Sequence, residues 1–327
     1  MNVSDRYCRI SLQLLKGTEK HQGFRDADVK RLFGGELSTT ALNVTRQDFF
    51  ISGARASRKL SMSGVQPKLS AAVIDGQLQM VNENGRYIVK PSPEAFPYAA
   101  ENEHAGMLFS RAMGVETASC ALMSFQDGEN VFVCRRFDRE GDIRHPQEDI
   151  LQLAGLPSAS KYELSYEEAG NILSKGSNGK PAVVLEFFRR VVLAYIMGNS
   201  DLHLKNISLR RKTPDAPYHY YDLLTPNYDI LFCDAIPELE GADFLALDLL
   251  KAHAFTEEFQ HFGYYTRADF IELAKRLGLS ERVVALQVDR FAKKLGSAMA
   301  LVQHSFMPNE MKAKSLETVK GRMKVLL

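Results

Sequence analysis

Tryptophan is absent from the 327 residues, and cysteine is scarce: Cys8, Cys120, Cys134 and Cys233 lie far apart with no C-x-x-C spacing. That excludes a disulfide framework or a structural zinc site as the basis of the fold, and a reducing compartment suits the four thiols. An excess of one charge is missing too. Lys and Arg number 41 against 40 Asp and Glu, a net charge of +1, so bulk charge does not hold nucleic acid. No apolar run approaches the ~20 residues of a membrane span, and the start MNVSDRYCRI carries no apolar leader core. Neither G-x-G-x-x-G nor a Walker A motif occurs. The nearest imitation, Gly176-Ser177-Asn178-Gly179-Lys180-Pro181, has the wrong spacing and a Pro where Ser or Thr should bind magnesium, so it reads as a surface loop. There is no internal repeat and no low-complexity segment.

What is present is the composition of a globular protein, 45% hydrophobic and 25% charged, with enough chain for two cooperating lobes. A cytoplasmic protein without a membrane segment is the expectation. Turn-rich stretches at 138–157 and 174–181 separate a strand-rich first half from a helical second half. Leu69 to Ile74 and Leu78 to Val81 flank Asp75-Gly76 and predict a hairpin. A strand from Tyr87 to Lys90 is expected to stop at Pro91. Pro97 then precedes AAENEHAGMLFSRAMG, a helix ending at Gly114, and strands at Ala121 to Phe125 and Asn130 to Cys134 follow. In the second half, VVLEFFRRVVLAYIMG is apolar on most faces and predicts a buried central helix from Val183 to Gly198. Ile207 to Leu209 and Tyr218 to Tyr221 read as a strand pair. Amphipathic helices are expected around Ala268 to Leu277, Glu281 to Leu295 and Lys312 to Val325, with starts marked by Thr266 with Asp269 and by Ser280.

The stretch GNSDLHLKNISL, Gly198 to Leu209, carries the most chemistry. Asp201 and Asn206 are five residues apart, the spacing at which a kinase catalytic loop places its base and a metal-holding amide. Phosphoryl transfer depends on positioning and charge neutralisation more than on covalent help. His203 and Lys205 are expected to add positive charge near a transferring phosphate. A second metal-holding carboxylate should follow, and Asp222 and Asp229 both qualify. Asp229 is preferred because it follows Pro226 and precedes the apolar Ile230-Leu231-Phe232, whereas Asp222 closes the expected strand and reads as solvated. Lys90 ends a strand, as does the lysine that pairs the α- and β-phosphates in kinases. The next helix offers Glu101 and Glu103 as its partner, with Glu103 deeper in the helix. SMSGVQPKLS, Ser61 to Ser70, precedes the hairpin and offers hydroxyls, Gly64 and Lys68 to phosphates. FIELAKRLGLSERVV has helix-turn-helix spacing at Ala274, Gly278 and Val284, but its second helix carries packing residues, so an ordinary αα-hairpin is expected.

Taken in order, Cys8-Arg9-Ile10, SMSGVQPKL, GRYIVKPSPE, AENEH, RRFDR, QEDILQLAG with Lys161-Tyr162-Glu163, GNSDLHLKN and LTPNYDIL resemble the HipA-like serine/threonine kinases of bacterial toxin–antitoxin systems, closest to the short HipT-type toxins. The resemblance covers almost the whole chain. It implies an α+β, two-lobed protein-kinase-like fold, with a small β-rich lobe over 1–137 and a helical lobe over 138–327. It implies ATP and Mg2+ as cofactors, Asp201 as catalytic base, and Asn206 and Asp229 as metal ligands. Lys90 matches the phosphate-pairing lysine, with Glu103 supporting it. Ser63, Gly64, Val65, Gln66, Lys68 and His203 join the implied nucleotide site. The hinge beside adenine falls at Arg135 to Phe137, where the family often has an acidic residue in place of Arg135. Ser61 and Ser63 match a pair of autophosphorylated serines.

The resemblance further implies an aminoacyl-tRNA synthetase as target, tryptophanyl-tRNA synthetase for HipT-type members, with translation slowed as the outcome. About 60 residues precede the loop, so the N-terminal subdomain of full-length HipA proteins is expected to be missing. A separate small HipS-like protein resembling that subdomain and a helix-turn-helix antitoxin are the implied partners. DNA is reached only through the antitoxin. A low-turnover, DNA-associated corepressor and a small-molecule phosphotransferase are the other readings. An intact Asp201, Asn206 and Asp229 set favours the kinase over a scaffold.

Overall fold

The computed structural model describes residues 6–35, 37–57, 68–141, 143–215, 217–239 and 243–327, with the backbone alone for 53–57. Two compact units divide the chain. One comprises Met1–Leu108, Ala118–Arg136 and Ala300–Lys312; the other comprises Phe109–Thr117, Phe137–Met299 and Ala313–Leu327.

In the first unit, α1 (Asp26–Phe33) and α2 (Arg46–Ser57) precede β1 (Leu69–Ile74), β2 (Gln77–Met80) and β3 (Tyr87–Pro91). Then come α3 (Ala99–Ala112), β4 (Cys120–Ser124) and β5 (Asn130–Arg135). The five strands form one sheet in the order β2-β1-β3-β5-β4, antiparallel throughout. The hairpin stands where the sequence puts it: Asp75 and Gly76 take φ 49° and 75°, the left-handed pair that matches strand twist in a two-residue turn, and Ile74 faces Gln77. β3 runs one residue further than expected, with Pro91 opposite Val131. Its pairing with β1 has already ended at Val89, so the missing N–H at Pro91 costs the ladder little.

One face of this sheet buries Ala71, Val89, Ala121, Val131 and Val133 against Val29, Leu32 and Phe33 of α1. Each buried Val, Leu or Phe among them contributes about 1.5–3 kcal/mol. The Tyr87 hydroxyl donates to the Leu32 carbonyl at 3.0 Å, so its polar end is satisfied in the core. All four cysteines are buried free thiols, and Cys120 lies opposite Cys134 across β4 and β5. α3 stops where Gly114, at φ 85°, turns the chain.

The second unit begins with the short strands β6 (Arg139–Glu140), β7 (Ile143–Arg144) and β8 (Gln147–Asp149) and the one-turn α4 (Ile150–Leu153). α5 (Tyr166–Gly176) starts at a capping box of Ser165 and Glu168, which satisfies two orphan N–H groups at once. α6 (Pro181–Met197) has Pro at its first turn and Gly198 at φ 70° just past its end. Twelve of its seventeen residues are buried, which makes it the central helix of this unit, as its apolar surface predicts.

β9 (Ser208–Arg210) lies between β8 and β10 (Leu223–Leu224). The expected strand Tyr218 to Tyr221 is therefore wrong by several residues. Tyr218 and Tyr220 stack on each other at 4.3 Å instead, and the buried Leu224 supplies the ladder's core contact.

Four helices complete the chain: α7 (Glu257–Phe262), α8 (Arg267–Arg276), α9 (Glu281–His304) and α10 (Asn309–Leu326). Thr266 and Asp269 form the expected capping box of α8. α9 continues nine residues past the expected Leu295, since one interior glycine costs a helix only about 1 kcal/mol relative to alanine. Val284 and Val288 of α9 are buried, as an αα-hairpin requires and a base-reading helix does not. Among the described residues no helix is long and apolar enough to cross a membrane.

Candidate active site

In the first unit the structure brings Lys90 and Glu103 together. The Lys90 Nζ donates to Glu103 Oε1 at 2.8 Å, with side chains only 11% and 2% exposed. β3 sets the lysine at its end, and α3 turns Glu103 inward. A buried ion pair is expensive unless well partnered, and the Phe132 ring also faces the ammonium at 5.8 Å. Glu101 is not the partner. It accepts from Asn130 Nδ2 at 2.7 Å, and burial pushes its carboxyl above the usual range despite that bond. Arg135 is exposed at the end of β5, donating its backbone N–H to Ser119 O at 2.8 Å. Lys68 is exposed at the sheet's entry. Ser61, Ser63, Gly64, Val65 and Gln66 lie outside the described residues.

In the second unit the chain leaves α6 through Gly198 and closes a tight polar loop. Asn199, 2% exposed, accepts the Asp201 N–H at 3.1 Å through Oδ1. Asn206 donates Nδ2 to the Asp201 carbonyl at 2.8 Å, and His203 N–H donates to the same oxygen at 2.8 Å. Leu202, Leu204 and Ile207 point into the core, so the apolar residues interleaved in DLHLKNI anchor the loop while Asp201 stays 38% exposed. The Asn206 amide nitrogen is thus committed to closing the turn.

Asp229 sits one residue beyond Tyr228, and Tyr228 is the tie between the two loops. Its hydroxyl donates to Lys205 O at 3.0 Å and lies 2.8 Å from Ser208 Oγ. Its ring packs on Phe137 at 5.4 Å, and the Phe137 carbonyl accepts from Arg210 at 3.2 Å. Upstream, Arg190 from α6, 2% exposed, donates to Thr225 O at 2.6 Å. Asn227 N–H donates to Glu116 O at 2.7 Å. Asp229 itself takes φ 57°, a left-handed backbone that a non-Gly residue holds only where its surroundings impose it.

Two expectations change. His203 is 6% exposed, and burial, with Lys161 second, pushes its imidazole down to about 4. It is neutral near pH 7 and adds no positive charge; Lys205 Nζ donates to Ser158 Oγ at 2.9 Å. Asp222 is no solvated strand end. It accepts from Lys180 Nζ at 3.1 Å, Tyr218 hydroxyl at 2.8 Å and Lys212 N–H at 2.9 Å. Burial opposes its charge, but these donors together hold its carboxyl below the usual range. Asp222 staples its loop to the start of α6, so Asp222→Asn should keep phosphoryl transfer within about twofold while lowering the melting temperature by a few degrees. Calorimetry and a turnover assay on the same preparation check both halves.

Sequence reasoning assigned no role to Asn199, Arg190, Tyr228 or Tyr162, whose hydroxyl donates to Asp201 Oδ1 at 3.2 Å. Arg190 was visible as a charge on an otherwise apolar helix, which is the signal of a buried, partnered residue.

Hard oxygen donors from Asn206 and Asp229 suit Mg2+, and a buried lysine held by a glutamate suits polyphosphate. The residues present therefore fit Mg2+ and ATP.

The fold has known counterparts. HipA of Shewanella oneidensis MR-1, in a toxin–antitoxin complex with HipB and operator DNA, matches at TM-score 0.63 and 20% identity over 81% of this chain. The kinase CtkA of Helicobacter pylori matches at TM-score 0.51 and 14% identity, covering 78% of this chain and 90% of its own. The fold is thus the α+β, two-lobed kinase-like one, with a β-sheet lobe and a helical lobe. The HipA-like C-terminal domain model matches residues 60–299, and the chain belongs to that family. A curated Haemophilus influenzae protein named "Putative kinase" is 29% identical over 98% of this chain and 97% of its own length. A Sinorhizobium fredii protein named "Putative kinase Y4dM" is 31% identical over 69% of this chain. The chain spans 56% of that relative and 63% of the Shewanella HipA chain.

Proposed function

We propose that this chain is a HipT-type serine/threonine protein kinase, the toxin of a bacterial toxin–antitoxin pair acting in the cytoplasm. The observation that carries the reading is the closed Asp201–Asn206 turn, in which the Asn206 amide bonds the Asp201 carbonyl at 2.8 Å. Asp201 is the catalytic base: it takes the proton of an acceptor hydroxyl as that oxygen attacks the γ-phosphorus and the bond to the bridging oxygen breaks, releasing ADP. Asn206 and Asp229 hold Mg2+, which neutralises phosphate charge when bound. Lys90, fixed by Glu103, grips the α- and β-phosphates. The Arg135 to Phe137 stretch contacts adenine through backbone groups, and Ser63, Gly64, Val65, Gln66 and Lys68 cover the phosphates. His203 is a neutral neighbour of Asp201 in that site.

The protein target is an aminoacyl-tRNA synthetase, tryptophanyl-tRNA synthetase first, and its modification slows translation. A helix-turn-helix antitoxin and a small HipS-like protein are the partners, and DNA is contacted only through the antitoxin. The Shewanella complex of HipA with HipB and operator DNA also favours a second reading, a low-turnover corepressor. Turnover in the absence of any partner separates the two.

The kinase brakes itself at Ser61 and Ser63. A phosphate there adds about −1.5 to −2 charge beside the nucleotide's own phosphates and competes for Lys68. Mass spectrometry after incubation with ATP should find phosphate on Ser61, Ser63 or both in wild type and none in Asp201→Asn. Alanine at both serines should leave the protein active at least as long as wild type, and aspartate at both should impair it. Absence of loop phosphate under active conditions, or full activity in the doubly phosphorylated protein, would end the brake hypothesis.

A further inference from the structure

We infer that Tyr162 is a positioning residue for phosphoryl transfer, holding the Asp201 carboxylate in its working orientation. The inference rests on the reading of Asp201 as catalytic base.

Tyr162 lies in the segment between α4 and α5, and three contacts fix its ring although the residue is 49% exposed. Its hydroxyl donates to Asp201 Oδ1 at 3.2 Å. Its edge meets the His203 imidazole at 5.2 Å and 74°, and the Lys161 ammonium stands over its face at 4.7 Å. An exposed tyrosine without a task would be free to sample rotamers; this one is held at one face, at its edge and at its tip.

The backbone around it is tied to the same loop. Leu204 N–H donates to Lys161 O at 3.2 Å, Lys205 Nζ donates to Ser158 Oγ at 2.9 Å, and Tyr166 hydroxyl donates to Leu202 O at 2.9 Å. Residues 158–166 thus form a brace whose polar contacts fall on Leu202, Leu204 and Lys205, and whose Tyr162 reaches the Asp201 side chain. The Asp201 backbone is clamped separately by Asn199 and Asn206. Tyr162 adds a bond to the carboxylate itself, its hydroxyl on Oδ1 opposing rotation of that group. Catalytic groups misplaced by about 1 Å can lose as much as a hundredfold in rate, so a single fixed hydrogen bond is worth retaining at such a site.

Tyr162 suits this task chemically. Burial, with the Asp201 charge second, raises its phenol well above the usual tyrosine range, so it remains a donor at any working pH. His203 Nε2 is 3.7 Å from the same Asp201 oxygen, too far for a strong bond, whereas the Tyr162 hydroxyl reaches it at 3.2 Å.

The test uses the full chain, Mg2+ and ATP labelled on the γ-phosphate, with single-turnover transfer into the chain itself as readout. Wild type, Tyr162→Phe and Asp201→Asn are compared for maximal rate, half-saturating ATP and unfolding midpoint. Tyr162→Phe keeps the ring and its packing and removes only the donor. The expected result is a maximal rate about tenfold lower, with half-saturating ATP and the unfolding midpoint unchanged and Asp201→Asn inactive. An unchanged maximal rate in Tyr162→Phe overturns the inference while leaving Asp201 in place. So does a fall in rate that comes with a matching loss of ATP affinity or of the unfolding midpoint, because that marks a purely structural tyrosine. Wild-type transfer that is absent, or undiminished in Asp201→Asn, overturns the underlying reading and the inference with it.

Discussion

Asp201→Asn and Asp229→Asn should each fold normally and lose phosphoryl transfer by roughly a hundredfold or more. Both side chains stand at loop positions whose backbones are fixed by other residues. Asp201 is held by Asn199 and Asn206, and the Asp229 loop by Tyr228, Arg190 and the bridge from Asn227 to Glu116. An isosteric amide therefore removes a charge while the backbone bonds that fix each loop stay in place. Circular dichroism and melting curves should overlay wild type. The contrast with Asp222→Asn is the sharp part, since that carboxylate has a full set of structural partners. Wild-type turnover in Asp229→Asn would shift the second metal ligand to Asp222.

Removing Lys90 should be the second large effect. Lys90→Ala loses the cation proposed to grip the α- and β-phosphates, and Mg-ATP affinity measured by calorimetry should fall with turnover. Glu103→Ala should weaken ATP use more mildly, through a lysine left unpositioned. Stability behaves differently. Either single change leaves one charge buried, a penalty of about 3–5 kcal/mol, because the pair is only 11% and 2% exposed. The double variant Lys90→Met, Glu103→Leu should be more stable than either single variant, since apolar residues of similar volume replace a buried pair without loss, and yet should not use ATP. Unchanged ATP affinity and turnover in the single variants would make the pair purely structural.

Much of the architecture follows from local rules that act over a few residues. The Asp75-Gly76 turn, the helix between Pro97 and Gly114, the Thr266–Asp269 capping box and the apolar α6 each depend on nearest neighbours, and each stands where the sequence puts it. Failures arise where a distant partner decides. The strand expected at Tyr218 to Tyr221 has β-favouring residues, but aromatic stacking and the Lys180–Asp222 staple take that segment, and β9 pairs with Leu223–Leu224 instead. α9 runs past its expected end because one interior glycine, at a cost of about 1 kcal/mol, does not stop a long helix.

The site divides along the same line. The spacing of Asp201 and Asn206 is readable in one stretch, and the Lys90–Glu103 pair follows from strand-then-helix order. The neutrality of His203 is a product of burial that no spacing reveals. The work of Tyr228, Arg190 and Tyr162 is equally hidden, because each acts by a side chain reaching a loop 23 to 39 residues away.

The central claim is that this chain transfers the γ-phosphate of ATP to protein hydroxyls. Its most direct test is phosphosite mapping of a bacterial cell extract incubated with Mg-ATP and either wild type or Asp201→Asn. The account expects new phosphoserine or phosphothreonine on an aminoacyl-tRNA synthetase with wild type alone, together with phosphate on the Ser61–Ser63 loop. Identical phosphorylation patterns in the two extracts would contradict it.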